Sequence, residues 1–403
     1  MEGLRQLPGT IVTRLALMGS TLMVVLLNTH YLGTAGQGTA SLLALGIMLV
    51  VALSNFIGGG ALVYLAPRQK EGEALWPGVT WATISALIFL AVFCIVPVVP
   101  PELILHACAI GWIQSLAMIL QHVTLARERI RMFNLVISLQ AMLVALILLA
   151  CFTVATWASI YAYVLALYIS SALALIIYAR TLASYIRSAV LAGMYETFRE
   201  LLRFGKYAQG GNVLHLLNQR LHVVFLENLW MYGRQAAGLY AIALYIAEAI
   251  WTVSKSLSTL QYARIANMND DAHQRGLTAR YLRISLGASG LGVLALMLTP
   301  SFVYEWIFTR EAQELKTILL WLCPGILANG ASIIYAHYFS GRGHHRENMM
   351  ASAWGLVFSV SAALLLVPQH GAAGAAAATS IALVIQCLWF VYRYRRSNSL
   401  FQS

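Results

Sequence analysis

Apolar runs of about twenty residues follow one another from end to end of the chain, each closed by a short polar or basic break. A helix rises about 1.5 Å per residue, so about 20 apolar residues cross the ~30 Å hydrocarbon core of a bilayer. That spacing predicts spans at 10–31, 41–65, 75–97, 103–125, 134–155 and 158–179. A basic amphipathic segment at 190–205 follows, and then spans at 206–229, 237–262, 281–299, 314–339, 349–367 and 372–392. The pattern predicts an all-α polytopic membrane protein of about twelve transmembrane helices. The first run ends in Asn28-Thr29-His30-Tyr31, without a small-x-small cleavage site, and is read as a retained helix.

The breaks alternate in charge. Those on one side hold 21 of the 26 basic residues, from Arg5, Arg14, Arg68 and Lys70 through the 180–206 connection to Arg393, Arg395 and Arg396. The other side holds Arg234, Arg310 and Lys316. By the positive-inside rule both termini are expected to be cytoplasmic. The net charge of +11 then orients the protein, and no nucleic-acid partner is needed to explain it.

Composition agrees. The chain is 60% hydrophobic and 10% charged, against about 25% charged in a soluble domain. The five cysteines lie inside apolar runs without a CxxC pair, so neither disulfides nor a metal site is expected. His344-His345 reads as part of a solvated loop. Trp76, Trp112, Trp157, Trp230, Trp306 and Trp389 stand at span ends as interfacial belts. The outward connections are short, and 97–102 is stiffened by Pro97, Pro100 and Pro101.

A shift of 200 residues lays Gly33 on Gly233 and Gly38 on Gly238, in the turn between the first two helices of each half. The expectation is a parallel duplication: an N-terminal lobe at 1–180, a cytoplasmic amphipathic connection at 181–205, and a C-terminal lobe at 206–403. Two six-helix lobes of this kind are expected to leave a central cleft.

Polar residues inside the spans nominate a site, because ionisable groups in hydrocarbon face a cavity or a partner. The seventh span carries Asn212, His215, Asn218, Gln219, Arg220 and His222. At 100° per residue His215, Asn218, Gln219 and His222 share one side and Arg220 points away. In the eighth span Glu248, Trp251, Thr252, Lys255 and Thr259 form a second stripe, and the first two spans add Arg14 and Asn55. The candidate substrate-binding set is Arg14, Asn55, His215, Asn218, Arg220, Glu248 and Lys255, a cationic site suited to phosphate or pyrophosphate. His222 and Glu248 are the candidate proton or ion carriers. The plainer alternative pairs Glu248 with Arg220 or Lys255 as packing, with Arg14 snorkelling to the headgroups.

There is no Walker loop, HExxH or GxSxG, so neither an ATP-driven pump nor a hydrolase is expected, and no cofactor. Three stretches resemble the Wzx-type oligosaccharide flippases of the MOP exporter superfamily: Leu32-Gly33 through Leu65-Ala66-Pro67; Asn218-Gln219-Arg220-Leu221-His222; and Ala237-Gly238-Leu239-Tyr240-Ala241-Ile242-Ala243 leading to Glu248-Ala249-Ile250-Trp251 and Tyr262-Ala263-Arg264-Ile265-Ala266. The resemblance implies a MATE/MOP-like fold in the bacterial inner membrane and alternating access. It also implies export of an undecaprenyl-pyrophosphate-linked oligosaccharide for surface polysaccharide, with membrane lipids and other polysaccharide-assembly membrane proteins as partners. Where relatives carry an acidic residue this chain has His222. A MATE-like ion-coupled efflux antiporter is the main rival, and a polysaccharide polymerase or ligase a weaker one.

Overall fold

The computed structural model describes residues 7–65, 71–191, 193–229, 232–268 and 270–399. Arg5, Arg68, Lys70 and Trp230, and the Ala66-Pro67 end of the first motif, lie outside the described residues. Everything regular among the described residues is helical. Nine helical runs there are long and apolar enough to cross a membrane.

Two of these runs are each two spans. Leu7–Gly58 is 52 residues long, about 78 Å of helix, more than twice the depth of the hydrocarbon core. It breaks at Gly33 (φ 73°, ψ 179°) into α1 (7–32) and α2 (34–58). Leu27 of α1 and Leu43 and Ile47 of α2 lie in one buried cluster, so the two limbs pack together. The turn expected between the first two spans is reduced to this single residue, because glycine alone enters positive φ without a Cβ penalty. His345–Ser399 breaks in the same way at Gly371 (φ 53°), three residues after Pro368, into α14 (345–370) and α15 (372–399).

Between them run α3 (Gly60–Leu65), α4 (Leu75–Ile95), α5 (Ile104–Ala126), α6 (Ile130–Thr153), α7 (Ile160–Thr181), α8 (Ala183–Arg187) and α9 (Met194–Val224). Then come α10 (Gly233–Ala266), α11 (Asp271–Leu298), α12 (Ser301–Phe308) and α13 (Leu315–Gly341). The amphipathic segment expected at 190–205 and the seventh span are one continuous helix, α9, closed by a π-helical turn at Phe225–Leu229. No proline interrupts that stretch, and helix once nucleated propagates. α9 is of spanning length but too polar to stand among the nine; with two of those runs each divided in two, twelve segments among the described residues have spanning length. The short helix α12 falls in a connection expected to be bare.

The chain divides into two compact units. One comprises Met1–Leu32 with Thr39–Val213, the other Gly33–Gly38 with Leu214–Ser403. The first holds two apolar clusters, around Leu43, Val50, Ile110 and Leu148 and around Ile57, Leu62, Ile119 and Leu201. The second buries Ile265, Tyr338, Phe339 and Phe390 near the α13–α14 turn.

The 33–38 segment belongs to the second unit for a local reason. Thr34 donates its backbone N–H (2.9 Å) and its hydroxyl (2.6 Å) to Glu311 Oε2. A Cβ on Gly38 would sit 2.1 Å from the Arg234 carbonyl, and one on Gly238 would sit 1.9 Å from the Thr34 carbonyl. The paired glycines therefore meet at one backbone crossing, where neither tolerates a side chain. Gly33 and Gly233 match as well, with φ of +73° and +81°.

Candidate functional site

α9 sorts its polar side chains to two faces within the second unit. On one face Asn218 is fully buried and its Nδ2 donates to the Ser352 carbonyl at 2.9 Å. His222, also buried, places Nε2 3.3 Å from Ser359 Oγ and Nδ1 3.4 Å from Thr379 Oγ1. Thr379 Oγ1 is 2.6 Å from the Tyr240 hydroxyl, which donates to the Gln219 carbonyl at 3.0 Å. Thr379 Oγ1 donates to the Ala375 carbonyl at 3.0 Å, so a consistent proton order has His222 Nδ1–H donating to Thr379 and Ser359 to Nε2. That order describes a neutral imidazole with both nitrogens occupied. None of these partners is charged.

On the other face Arg220 Nη2 lies 2.5 Å from Glu248 Oε1 of α10, and the guanidinium carbon stands 4.6 Å from the centre of the Tyr245 ring. The Arg220 side chain is 6% exposed and that of Glu248 24%, so the carboxylate is the open member of the pair. Lys255 stands two helical turns beyond Glu248 on α10, exposed, and makes no ion pair among the described residues. His215 is half-buried, with its Nδ1 buried and without a hydrogen-bond partner among the described residues.

The predicted set is thus only partly gathered. Arg220 and Glu248 are brought together. Asn218 and His222 face away from that pair, as the helical periodicity places them, because residues two apart on a helix are about 200° apart around its axis. Of the two pairings the sequence left open for Glu248, the structure has the one with Arg220, and Lys255 carries the net positive charge of that face. Trp251, read into the Glu248 stripe, is buried and donates from Nε1 to the Ile326 carbonyl at 3.0 Å. Arg14 and Asn55, both half-buried, belong to the first unit. That unit has its own neutral polar cluster, in which Gln114 and Gln140 both donate to Ser171 Oγ (3.1 and 3.4 Å). Sequence reasoning missed Tyr240, Tyr245, Ser359 and Thr379. Thr379 was the one with a signal, as the first hydroxyl after the run Ala375-Ala376-Ala377-Ala378.

The fold can now be placed. No known protein family matches the chain, and no curated protein matches it. Solved structures do. The lipid II flippase MurJ in an inward closed conformation superposes with a TM-score of 0.73 at 14% identity, covering 96% of this chain and 86% of that one. An inward-facing multidrug-resistance MATE transporter of the MOP superfamily gives 0.71 at 16% identity, over 98% and 99%. The Vibrio cholerae MATE transporter VcmN in its bent form gives 0.66 at 16% identity, over 98% of each chain. The chain is therefore a multi-pass membrane protein with the fold of the MATE transporters and MurJ.

Proposed function

We propose that this protein is a membrane transporter, and that its cargo is an anionic, lipid-linked oligosaccharide passed to the opposite leaflet by alternating access. The observation that carries the reading is the Arg220–Glu248 pair with Lys255 beyond it, cationic side chains held on a membrane-spanning scaffold. Arginine grips phosphate through paired hydrogen bonds and lysine as a point charge. His215 of the second unit is a further proposed cargo contact, and Arg14 and Asn55 are proposed as contacts within the first. The resemblance of the 218–222 and 237–251 stretches to Wzx-type flippases supports a polyprenyl-pyrophosphate carrier. The basic asymmetry of the connections supports cytoplasmic termini in a bacterial inner membrane. Transport is proposed without a catalytic step.

The second reading is a MATE-like efflux antiporter. It is favoured by the partly exposed Glu248 carboxylate and by the MATE transporters among the matching folds. Reconstituted protein decides between them. Vesicles loaded with a fluorescent polyprenyl-pyrophosphate sugar should move it across the bilayer, and Lys255→Ala and Arg220→Ala should abolish this while the proteins still insert. Movement of cationic dyes with none of the lipid-linked sugar would establish efflux instead.

A further inference from the structure

Helix α12 is unlike the connections around it. It is eight residues long, entered through Pro300 and left through Thr309 at φ +115°. Tyr304 and Phe308 point into the protein, while Phe302 is 67% and Trp306 85% exposed, with Ile307 beside them at 40%. The outward face of α12 is therefore apolar, with the aromatic pair one turn apart. An isolated exposed apolar side chain needs no explanation, whereas a whole helical face of them does. The surface that leads to it has the same character: Leu294, Met297 and Leu298, at the end of α11, are all more than half exposed. These side chains are exposed on a helix of spanning length, and α12 follows directly after Thr299-Pro300. Arg310 and Lys316 follow, but Glu305, Glu311 and Glu314 offset them, so it is the apolar face of α12 and not charge that suits it to lipid.

What α12 leads into is equally specific. The turn Arg310–Ala312 directly after Thr309 carries Glu311, whose carboxylate accepts both the N–H and the hydroxyl of Thr34. Thr34 is the first residue of α2 after the break, and its N–H is one of the orphan donors that every helix start exposes. A carboxylate there is favoured both as an acceptor and by the helix dipole. Glu311 is thus an external cap on α2, supplied from 277 residues away. Gly33 leaves the space for it, since a Cβ there would lie 3.3 Å from Glu311 Oε2.

We propose that α12 is a membrane-surface anchor, lying with Phe302, Trp306 and Ile307 at the headgroup–acyl boundary of one leaflet, and that this lipid contact holds Glu311 in place as the cap of α2. Trp and Phe suit that depth because their rings are apolar and tolerate partial hydration. The state of the leaflet then acts directly on the break between α1 and α2.

The test uses the full chain, with its five cysteines replaced, in vesicles of phosphatidylethanolamine and phosphatidylglycerol. A nitroxide on Trp306→Cys should be shielded from a water-soluble nickel chelate about tenfold relative to one on Gln313→Cys, and should be open to oxygen. Equal nickel access at both positions would overturn the anchor. The link to the cap is read by hydrogen exchange at residues 34–38 in the native-cysteine protein. Phe302→Ser/Trp306→Ser should speed exchange there about tenfold and leave α15 unchanged, and Glu311→Gln should do the same without moving the nitroxide at 306. If the double variant folds poorly, wild-type exchange in vesicles against detergent serves instead. Unchanged exchange at 34–38 in every case would break the link between anchor and cap.

Discussion

Arg220 and His222 stand two residues apart on α9 and meet opposite fates. Arg220 is a permanent charge held by one carboxylate and one aromatic face, and its partner Glu248 is partly open. His222 is ringed by hydroxyls that occupy both of its nitrogens and carry no charge. A neutral, satisfied network of this kind specifies packing between helices. An ion pair with an open member can exchange partners. Of the polar groups on α9, the proposed transport chemistry is therefore assigned to the Arg220 face. The His222 face, proposed from sequence as a proton carrier, has the construction of a packing element.

The largest effect should come from separating the ion pair. Glu248→Ala strands a buried guanidinium and should destabilise by about 3–5 kcal/mol, the usual cost of breaking a buried pair. Arg220→Ala should cost clearly less, because the Glu248 carboxylate can turn to water. Arg220→Met with Glu248→Leu should recover most of the loss. Thermal unfolding in detergent, read by size-exclusion, checks the order, and equal losses from the two single variants would contradict the exposure difference.

His222→Phe should cost about 1–3 kcal/mol, the price of leaving buried hydroxyls unpaired. It should also leave cargo movement within about twofold of wild type in vesicles. A folded His222→Phe protein with no transport would break the comparison by returning His222 to the working site.

Glu311 gives a smaller, pH-dependent effect. The hydroxyl and N–H of Thr34 hold its carboxyl below the usual range, against a weak opposing effect of burial. A depressed folded pKa means the stabilisation is present above the unfolded value, about 4.3, and is lost as pH falls through the lower folded value. Between pH 5 and 8 Glu311→Gln should therefore lower stability by about 0.5–2 kcal/mol, as loss of a helix cap does. The difference from wild type should vanish in acid. A difference that persists below pH 3 would mean the carboxylate is not what caps α2.

The smallest effect belongs to the exposed pair Arg127–Glu71, whose side chains are 29% and 50% exposed. Glu71→Gln should change stability by less than about 1 kcal/mol. It calibrates the buried pair, since the same chemistry in water contributes little.

Much of the scaffold was legible in the sequence. Twelve spans could be counted, including α9, whose apolar content is too low for a hydropathy threshold but whose polar stripe marks it as buried. The glycine pairs 33/233 and 38/238 were visible from the 200-residue repeat, and they share backbone conformation and position in the structure. Helix ends were less legible. The continuity of α9 and the existence of α12 depend on what each segment packs against, and no local signal carries that.

The division has a physical reason. A bilayer is a solvent whose demand on the chain is local: about twenty apolar residues per crossing, and a glycine where the backbone turns at positive φ. Sequence by itself therefore determined the spans, the turns and the residues too polar for lipid. Pairing is non-local. Arg220 finds Glu248 28 residues away, His222 finds Thr379 157 away, and Thr34 finds Glu311 277 away. Only the packed helices decided that Arg220 would be matched by Glu248, that His222 would face hydroxyls, and that a carboxylate after α12 would cap α2.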